Sequence, residues 1–199
     1  MKEKIYLISP SKIKKTFIED LKKVLESKKI KFFQVRIKNR PQKKIIKLIK
    51  QIKPVVKRYN VKLIINDNYK LAKKVDADGC HLGQSDGSFS LAKREFKKKI
   101  IGSTCHNSKR LIKNAIKNNA DYIAIGSFFK SKLKPKATKA DFNTLKWARK
   151  KTKKPIVAIG GINDKNYKKI IKNGANYIAI SSFIWNNPAL KPEIAIKEF

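Results

Sequence analysis

Eight short apolar runs alternate from end to end with amphipathic stretches of helical period. That alternation predicts an α/β chain folded as one single-domain (β/α)8 TIM barrel over residues 1–199. Most of the runs are apolar throughout, as parallel strands covered on both faces should be. An internal echo points the same way. Ala77-Asp78-Gly79, Ala120-Asp121-Tyr122 and Ala175-Asn176-Tyr177 each lead from a helix end into a strand. Two of them continue almost identically, as Tyr122-Ile123-Ala124-Ile125-Gly126-Ser127 and Tyr177-Ile178-Ala179-Ile180-Ser181-Ser182, the signature of a repeating βα unit. A doubly wound open sheet is the alternative fold. It asks for a Gly-rich turn after the first strand, and Ser9-Pro10-Ser11 is not one.

The elements follow in order. A strand over Ile5–Ser9 precedes a helix over Ile13–Ser27, whose Phe17, Ile18, Leu21, Val24 and Leu25 share one face. A strand over Phe32–Ile37 leads to a helix over Gln42–Tyr59, which Pro54 is expected to kink or end early. Strand Lys62–Asn66 precedes helix Tyr69–Val75, and strand Gly79–Leu82 precedes helix Leu91–Phe96. Strand Ile100–Cys105 precedes helix Lys109–Asn118, and strand Tyr122–Gly126 opens the longest irregular stretch, Ser127–Ala140. A barrel enzyme can carry a mobile active-site loop there. Helix Phe142–Lys151, strand Ile156–Ile159, helix Lys165–Asn173, strand Tyr177–Ser181 and helix Ala189–Phe199 complete the chain.

Composition narrows the function. Fifty Lys plus Arg against 14 Asp plus Glu give a formal charge of +36. The excess is nearly all Lys and is spread along the helices, as in Lys43, Lys44, Lys47, Lys50, Lys53 and Lys57. Arg clusters, an aromatic RNA-binding strand and a zinc finger are absent, so specific nucleic-acid recognition is not expected. A general attraction for anionic substrates is. No apolar run approaches the roughly 20 residues that span a bilayer, so no membrane partner is expected. The start, Met1-Lys2-Glu3-Lys4-Ile5, has no signal-peptide character, and a cytoplasmic protein is expected. Cys80 and Cys105 lie inside strands without metal-type spacing and read as buried reduced thiols. The sequence is compatible with a homo-oligomer.

In a parallel barrel all strand C-termini meet at one rim, and chemistry concentrates there. Gln34, Arg36 and Lys38 alternate onto one side of the second strand, toward the barrel mouth. Polar groups there are costly unless paired or used; an ion pair would explain Arg36, and Lys38 at the rim suits a phosphate. The third strand ends in Asn66-Asp67, residues that could equally cap the next helix. The fourth leads into His81-Leu82-Gly83-Gln84-Ser85-Asp86-Gly87, where Asp86 could be a turn residue. Taken together, two acids on neighbouring strand ends in so basic a chain are suited to one Mg²⁺ held against a diphosphate. The fifth strand offers Ser103, Thr104 and His106, and the sixth leads into Ser127–Lys136 with its several lysines. Gly160-Gly161 after strand seven and Ser181-Ser182 after strand eight match the usual phosphate site of such barrels.

This ordered set resembles the thiamine-phosphate synthase family. The family pattern Q-x-R-x-K matches Gln34, Arg36 and Lys38; N-D matches Asn66-Asp67; H-[IL]-G-Q-x-D matches His81 to Asp86. The G-x-S-x-H region aligns with Gly102 to His106, and I-G-G-I and the Ser ending strand eight are present. The resemblance implies a transferase that joins 4-amino-2-methyl-5-hydroxymethylpyrimidine diphosphate to a thiazole phosphate, releasing pyrophosphate. It implies Mg²⁺ on Asp67 and Asp86. It implies pyrimidine diphosphate contacts from Gln34, Lys38, Asn66, Thr104 and Lys134, with Arg36 also among the substrate-binding residues and Lys38 and Lys134 as the catalytic lysines. It places the thiazole phosphate at Ser131, Gly161, Ser181 and Ser182. The implied mechanism is dissociative, with pyrophosphate leaving before the thiazole nitrogen attacks.

Three positions depart from the family pattern: Ile37 stands for Glu, Leu133 for the second hydroxyl of the strand-six loop, and Thr104 for Ser. The related thiazole tautomerases share the barrel and use a His at the position of His106. They generally lack the counterparts of Lys38 and Asp86, so those two residues favour the synthase. A sugar-phosphate isomerase or aldolase leaves the Asp67/Asp86 pair unexplained. A catalytically inert polyanion-binding barrel would ignore Asp67 and respond steeply to salt.

Overall fold

The computed structural model describes residues 4–130 and 139–199. Eight strands close into a barrel in chain order, each parallel to its neighbours, with β1 pairing β8 across the seam. They are β1 (Ile5–Ile8), β2 (Ile30–Val35), β3 (Lys62–Asn66), β4 (Gly79–Leu82), β5 (Ile100–His106), β6 (Tyr122–Gly126), β7 (Ile156–Ile159) and β8 (Tyr177–Ile180). Between them run α1 (Phe17–Leu25), α2 (Gln42–Arg58), α3 (Tyr69–Lys74), α4 (Phe89–Glu95), α5 (Lys109–Lys117), α6 (Phe142–Lys151) and α7 (Tyr167–Lys172). Parallel neighbours need a crossover, and each helix supplies one.

Strand alternation divides the apolar residues into two cores. Leu7, Phe33, Leu63, Ile65, Ile101, Ile123 and Ile178 point outward and pack with the helices. Tyr6, Ile8, Phe32, Ile64, Tyr122, Ala124, Val157 and Ala179 point inward and fill the barrel. The inner core has an aromatic side, where Tyr6, Phe32, Tyr122 and Tyr177 meet. Gly102 lies opposite Tyr122 in the β5–β6 register, and a Cβ there would fall inside the tyrosine ring. The missing side chain makes room for the large one.

The sequence echo has a structural cause at the N-terminal floor of the barrel. Asp78 accepts the Leu63 N–H at 2.8 Å, Asp121 the Ile101 N–H at 2.7 Å, and Asn176 the Ile156 N–H at 2.9 Å. Each side chain reaches back to the preceding strand and pairs a backbone donor near that strand's start. A cation joins each: Lys62, Lys93 and Arg149. The alanine before each, Ala77, Ala120 and Ala175, is buried, so the repeat is a floor latch with a packed small residue beside it.

Several boundaries differ from the sequence expectations. Pro54 does not end α2, which continues to Arg58. Pro54 and Lys50, whose carbonyl it leaves unpaired, are both on the solvent side, where water takes the bond. The expected helix Ala189–Phe199 is a short α9 (Pro192–Ala195) continued by a 3-10 turn over Ile196–Glu198, with Pro192 setting its start. A one-turn helix, α8 (Ser182–Trp185), follows β8 directly and was not expected. Among the described residues, no helix is long and apolar enough to cross a membrane.

Candidate active site

The strand C-termini surround one cavity of about 1110 Å³ at the barrel mouth. Every predicted site residue among the described ones lines it: Gln34, Arg36, Lys38, Asn66, Asp67, Asp86, Thr104, Gly161, Ser181 and Ser182, with His106 beside them. Ser131, Leu133 and Lys134 lie outside the described residues. Ser103 is buried and absent from the cavity lining, because it sits one residue out of phase with Thr104 on β5.

The acidic corner is built from β3 and β4, which pair Asn66 with His81. Asp67 takes a left-handed backbone with φ 64°, and its N–H donates to the His81 carbonyl at 2.8 Å. The turn after it frees Asn68, not Asp67, to cap α3: the Asn68 side chain accepts the Leu71 N–H at 2.8 Å. Asp67 is therefore released from the capping role that the sequence left open. Asp86 is held in its turn by the Gly83 N–H, which donates to its Oδ2 at 2.7 Å. The two carboxyl groups lie close enough to raise the cost of ionising Asp67. Burial first, and then Asp86, pushes the Asp67 carboxyl above the usual carboxylate range; Lys38 and Arg36 pull it partly back. Lys38 Nζ stands 3.9 Å from Asp67 Oδ2 with more than half of its side chain exposed.

Beneath the rim lies a chain of polar groups that the sequence did not reveal. Gln34 Nε2 donates to the Tyr6 hydroxyl at 3.2 Å, and the Tyr6 and Tyr122 hydroxyls are 2.7 Å apart. His81 Nδ1 is 2.9 Å from the Tyr122 hydroxyl, and its Nε2 is 2.7 Å from Thr104 Oγ1. Burial pushes both tyrosines well above the ordinary phenol range, so they stay protonated. The signal was present as inward parity on β1, β4 and β6. What sequence could not give was which side chains meet across the barrel.

The opposite side of the mouth is backbone-rich. Gly160 has φ 108° and Gly161 has φ 60°, and a Cβ on either would collide with the Ser127–Lys130 segment. That segment is tied to β7 by the Phe128 N–H donating to the Ile159 carbonyl at 3.1 Å and the Phe129 N–H to that of Gly160 at 3.0 Å. Ala140 N–H donates to the Ser127 carbonyl at 2.7 Å, which pins the two ends of the strand-six loop together. Ser181 Oγ donates to the Ser9 carbonyl at 3.2 Å, closing the seam. Cys80 and Cys105 are buried free thiols, each pushed by burial up to about 12, and take no part in the cavity.

Comparison with known proteins agrees with this geometry. The chain is 49% identical over 198 residues to a thiamine-phosphate synthase of Pelagibacter ubique, covering 99% of this chain and 96% of that protein. It is 36% identical to one from Erythrobacter litoralis, covering 92% and 88%. Among solved structures, a thiamine phosphate pyrophosphorylase from Pyrococcus furiosus superposes with a TM-score of 0.86 at 29% identity, covering 98% of this chain and 92% of that one. The family model described as thiamine monophosphate synthase matches residues 5–184, and with the relatives above it shows that the chain belongs to the thiamine-phosphate synthase family.

Proposed function

We propose that the cavity joins a pyrimidinylmethyl diphosphate to a thiazole phosphate, releasing pyrophosphate and forming thiamine phosphate. The observation that carries this is the juxtaposed Asp67–Asp86 pair beside Lys38 at the mouth of the barrel. Two neighbouring acids at a basic rim are suited to a divalent cation, and their carboxylate oxygens are hard donors. Among the described residues no group of three metal-ligating side chains exists. A two-carboxylate site suits Mg²⁺, which commonly takes one or two carboxylates and completes its shell with water and substrate phosphate. When bound, Mg²⁺ would supply neutralisation of the diphosphate's negative charge.

The chain's own residues divide the remaining work. Lys38 faces the departing diphosphate and offsets its growing charge as the methylene carbon–oxygen bond breaks, the electron pair leaving with oxygen. Lys134 is assigned the same role from the strand-six loop. Gln34, Arg36, Asn66 and Thr104 orient the pyrimidine end. Gly161, Ser131, Ser181 and Ser182 hold the thiazole phosphate, so that the thiazole nitrogen's lone pair meets the methylene carbon and forms the new carbon–nitrogen bond. No nucleophilic side chain is required. Ala124, Val157, Ile159 and Ala179 give the floor an apolar lining that keeps water from the cationic carbon. The cavity is large enough for two small ligands side by side.

The deciding experiment is thiamine phosphate formation from the two phosphorylated precursors with Mg²⁺. Product that disappears with EDTA and in Asp67→Asn and Asp86→Asn supports the assignment. A folded wild-type protein that makes no product overturns it. Asn is the better replacement at position 67, because it tolerates the left-handed backbone that Ala does not.

A further inference from the structure

The geometry points to a one-way hydrogen-bond relay inside the barrel, Gln34–Tyr6–Tyr122–His81–Thr104, that sets the donor and acceptor faces shown to the substrate's ring. Tyr6, Tyr122 and His81 are its positioning residues. The direction follows from the orientation of the Gln34 amide, whose Nε2 faces the Tyr6 hydroxyl. Gln34 Nε2 gives a proton to the Tyr6 oxygen. Tyr6 is 2% exposed, so its own proton needs a buried acceptor, and the Tyr122 oxygen at 2.7 Å is that acceptor. Tyr122, equally buried, must then donate to His81 Nδ1 at 2.9 Å. With Nδ1 accepting, the neutral imidazole carries its proton on Nε2 and donates to Thr104 Oγ1 at 2.7 Å. The Thr104 hydroxyl proton is left to donate into the cavity, while Gln34 presents its carbonyl oxygen as an acceptor. Gln84 holds the Thr104 backbone by donating to its carbonyl, so the strand end does not rotate away.

The two exits are therefore coupled. Gln34 accepts and Thr104 donates, or every bond reverses together and Gln34 donates while Thr104 accepts. Gln34, Tyr6 and Tyr122 are buried, so mixing the two directions leaves a hydroxyl proton unpaired in the barrel interior. An acceptor at Gln34 and a donor at Thr104 fit a ring with an exocyclic amino group and an unprotonated ring nitrogen. They mismatch its oxo counterpart, where donor and acceptor exchange places. The relay thus discriminates amino- from oxo-pyrimidines through residues that lie below the substrate. It bears on the reaction only if Gln34 and Thr104 hold the pyrimidine as proposed above.

The test has a readout that needs no substrate. The chain holds two histidines, so ¹⁵N spectra of the neutral imidazoles are readily assigned with a His106→Gln control. The relay requires His81 in the wild-type protein to carry its proton on Nε2. Tyr122→Phe keeps the ring that fills the space over Gly102 and removes the central hydroxyl. It is expected to raise the Nδ1-protonated population and to lower the ratio of kcat/KM for the amino- over the oxo-pyrimidine diphosphate about tenfold, the worth of one hydrogen bond. The KM for the thiazole phosphate should not change. Tyr6→Phe, the second variant should Tyr122→Phe fail to fold, cuts the chain nearer Gln34 and must also lower the selectivity. An Nδ1 proton on His81 in the wild type overturns the relay, as does unchanged selectivity in both variants. A wild type that forms no thiamine phosphate yet shows the Nε2 proton overturns the function and leaves the relay standing.

Discussion

Acids stand at both ends of this barrel, and their surroundings differ. At the floor, Asp78 and Asp121 each accept a backbone N–H near a strand's start and a lysine. At the mouth, Asp67 and Asp86 face each other, with Lys38 the partner of Asp67 at a looser 3.9 Å. The floor acids are satisfied by the protein itself. The mouth pair is satisfied only in part, and its cost in charge repulsion makes sense for a site that receives a cation and an anion from solution. One end of the molecule uses carboxylates to hold strands in register, and the other leaves them facing the cavity.

The largest expected effect breaks the mouth alone. Asp67→Asn should lower kcat/KM for thiamine phosphate formation by about 100- to 1000-fold, in line with removal of a preorganised electrostatic group. It should not lower thermal stability. The sign is definite: the folded protein holds the Asp67 carboxyl above its ordinary range, so ionising it is harder folded than unfolded. Stability from this group is therefore highest at low pH and falls as pH rises from the unfolded value through the raised one. An uncharged Asn removes that loss, and the melting temperature near neutral pH should stay level or rise. A fall in both activity and melting temperature would place Asp67 among the structural acids.

Breaking the floor should do the reverse. Asp121→Ala strands the N–H of Ile101, a residue at 0% exposure, and removes the partner of Lys93. The expected cost is about 1–3 kcal/mol, the range for an unsatisfied buried donor, read as a lower urea midpoint. The kcat/KM of the protein that remains folded should match the wild type. A loss of activity without a loss of stability would erase the distinction between the two ends.

How far the sequence told these ends apart is instructive. The strands were legible because apolar parity and the repeated Ala-Asp or Ala-Asn entry announce a βα unit, and the rim residues followed because every strand end in such a fold shares one face. Asp67 was ambiguous as a helix cap until the backbone turned and gave that task to Asn68. The final residues were misread as one helix because an apolar period continues through 189–199, whereas Pro192 starts a new turn there. The relay through His81 and Tyr122 was not legible at all. Its partners are 41 residues apart, and nothing local says that two inward side chains on β4 and β6 meet.

Gly102 tests the point at which the two ends meet. Its vacancy admits the Tyr122 ring, which both packs against Tyr6 and Phe32 in the inner core and carries the hydroxyl that reaches His81. Gly102→Ala forces that ring aside. Overpacking of this kind costs about 1–3 kcal/mol, and here it should also weaken pyrimidine selectivity, unlike Asp121→Ala. Equal stability loss in the two variants with unequal selectivity is the expected pattern, measured by urea unfolding and by competition between the two ring types.

The smallest effect concerns the charge that steadies the mouth. Lys38 and Arg36 both pull the Asp67 carboxyl down against the upward pressure of burial and Asp86. Lys38→Met removes one of those pulls, so the Asp67 titration, followed through its carboxyl ¹³C shift in the ligand-free protein, should move to higher pH. The shift should be modest, because the lysine is 3.9 Å away and largely in water, where its field is screened. Added salt should shrink the difference between variant and wild type, since screening weakens the exposed lysine's field. A displacement to lower pH would mean that Lys38 is not a partner of Asp67 in solution. No displacement, with salt also without effect, would mean that Arg36 alone sets the positive side of this corner.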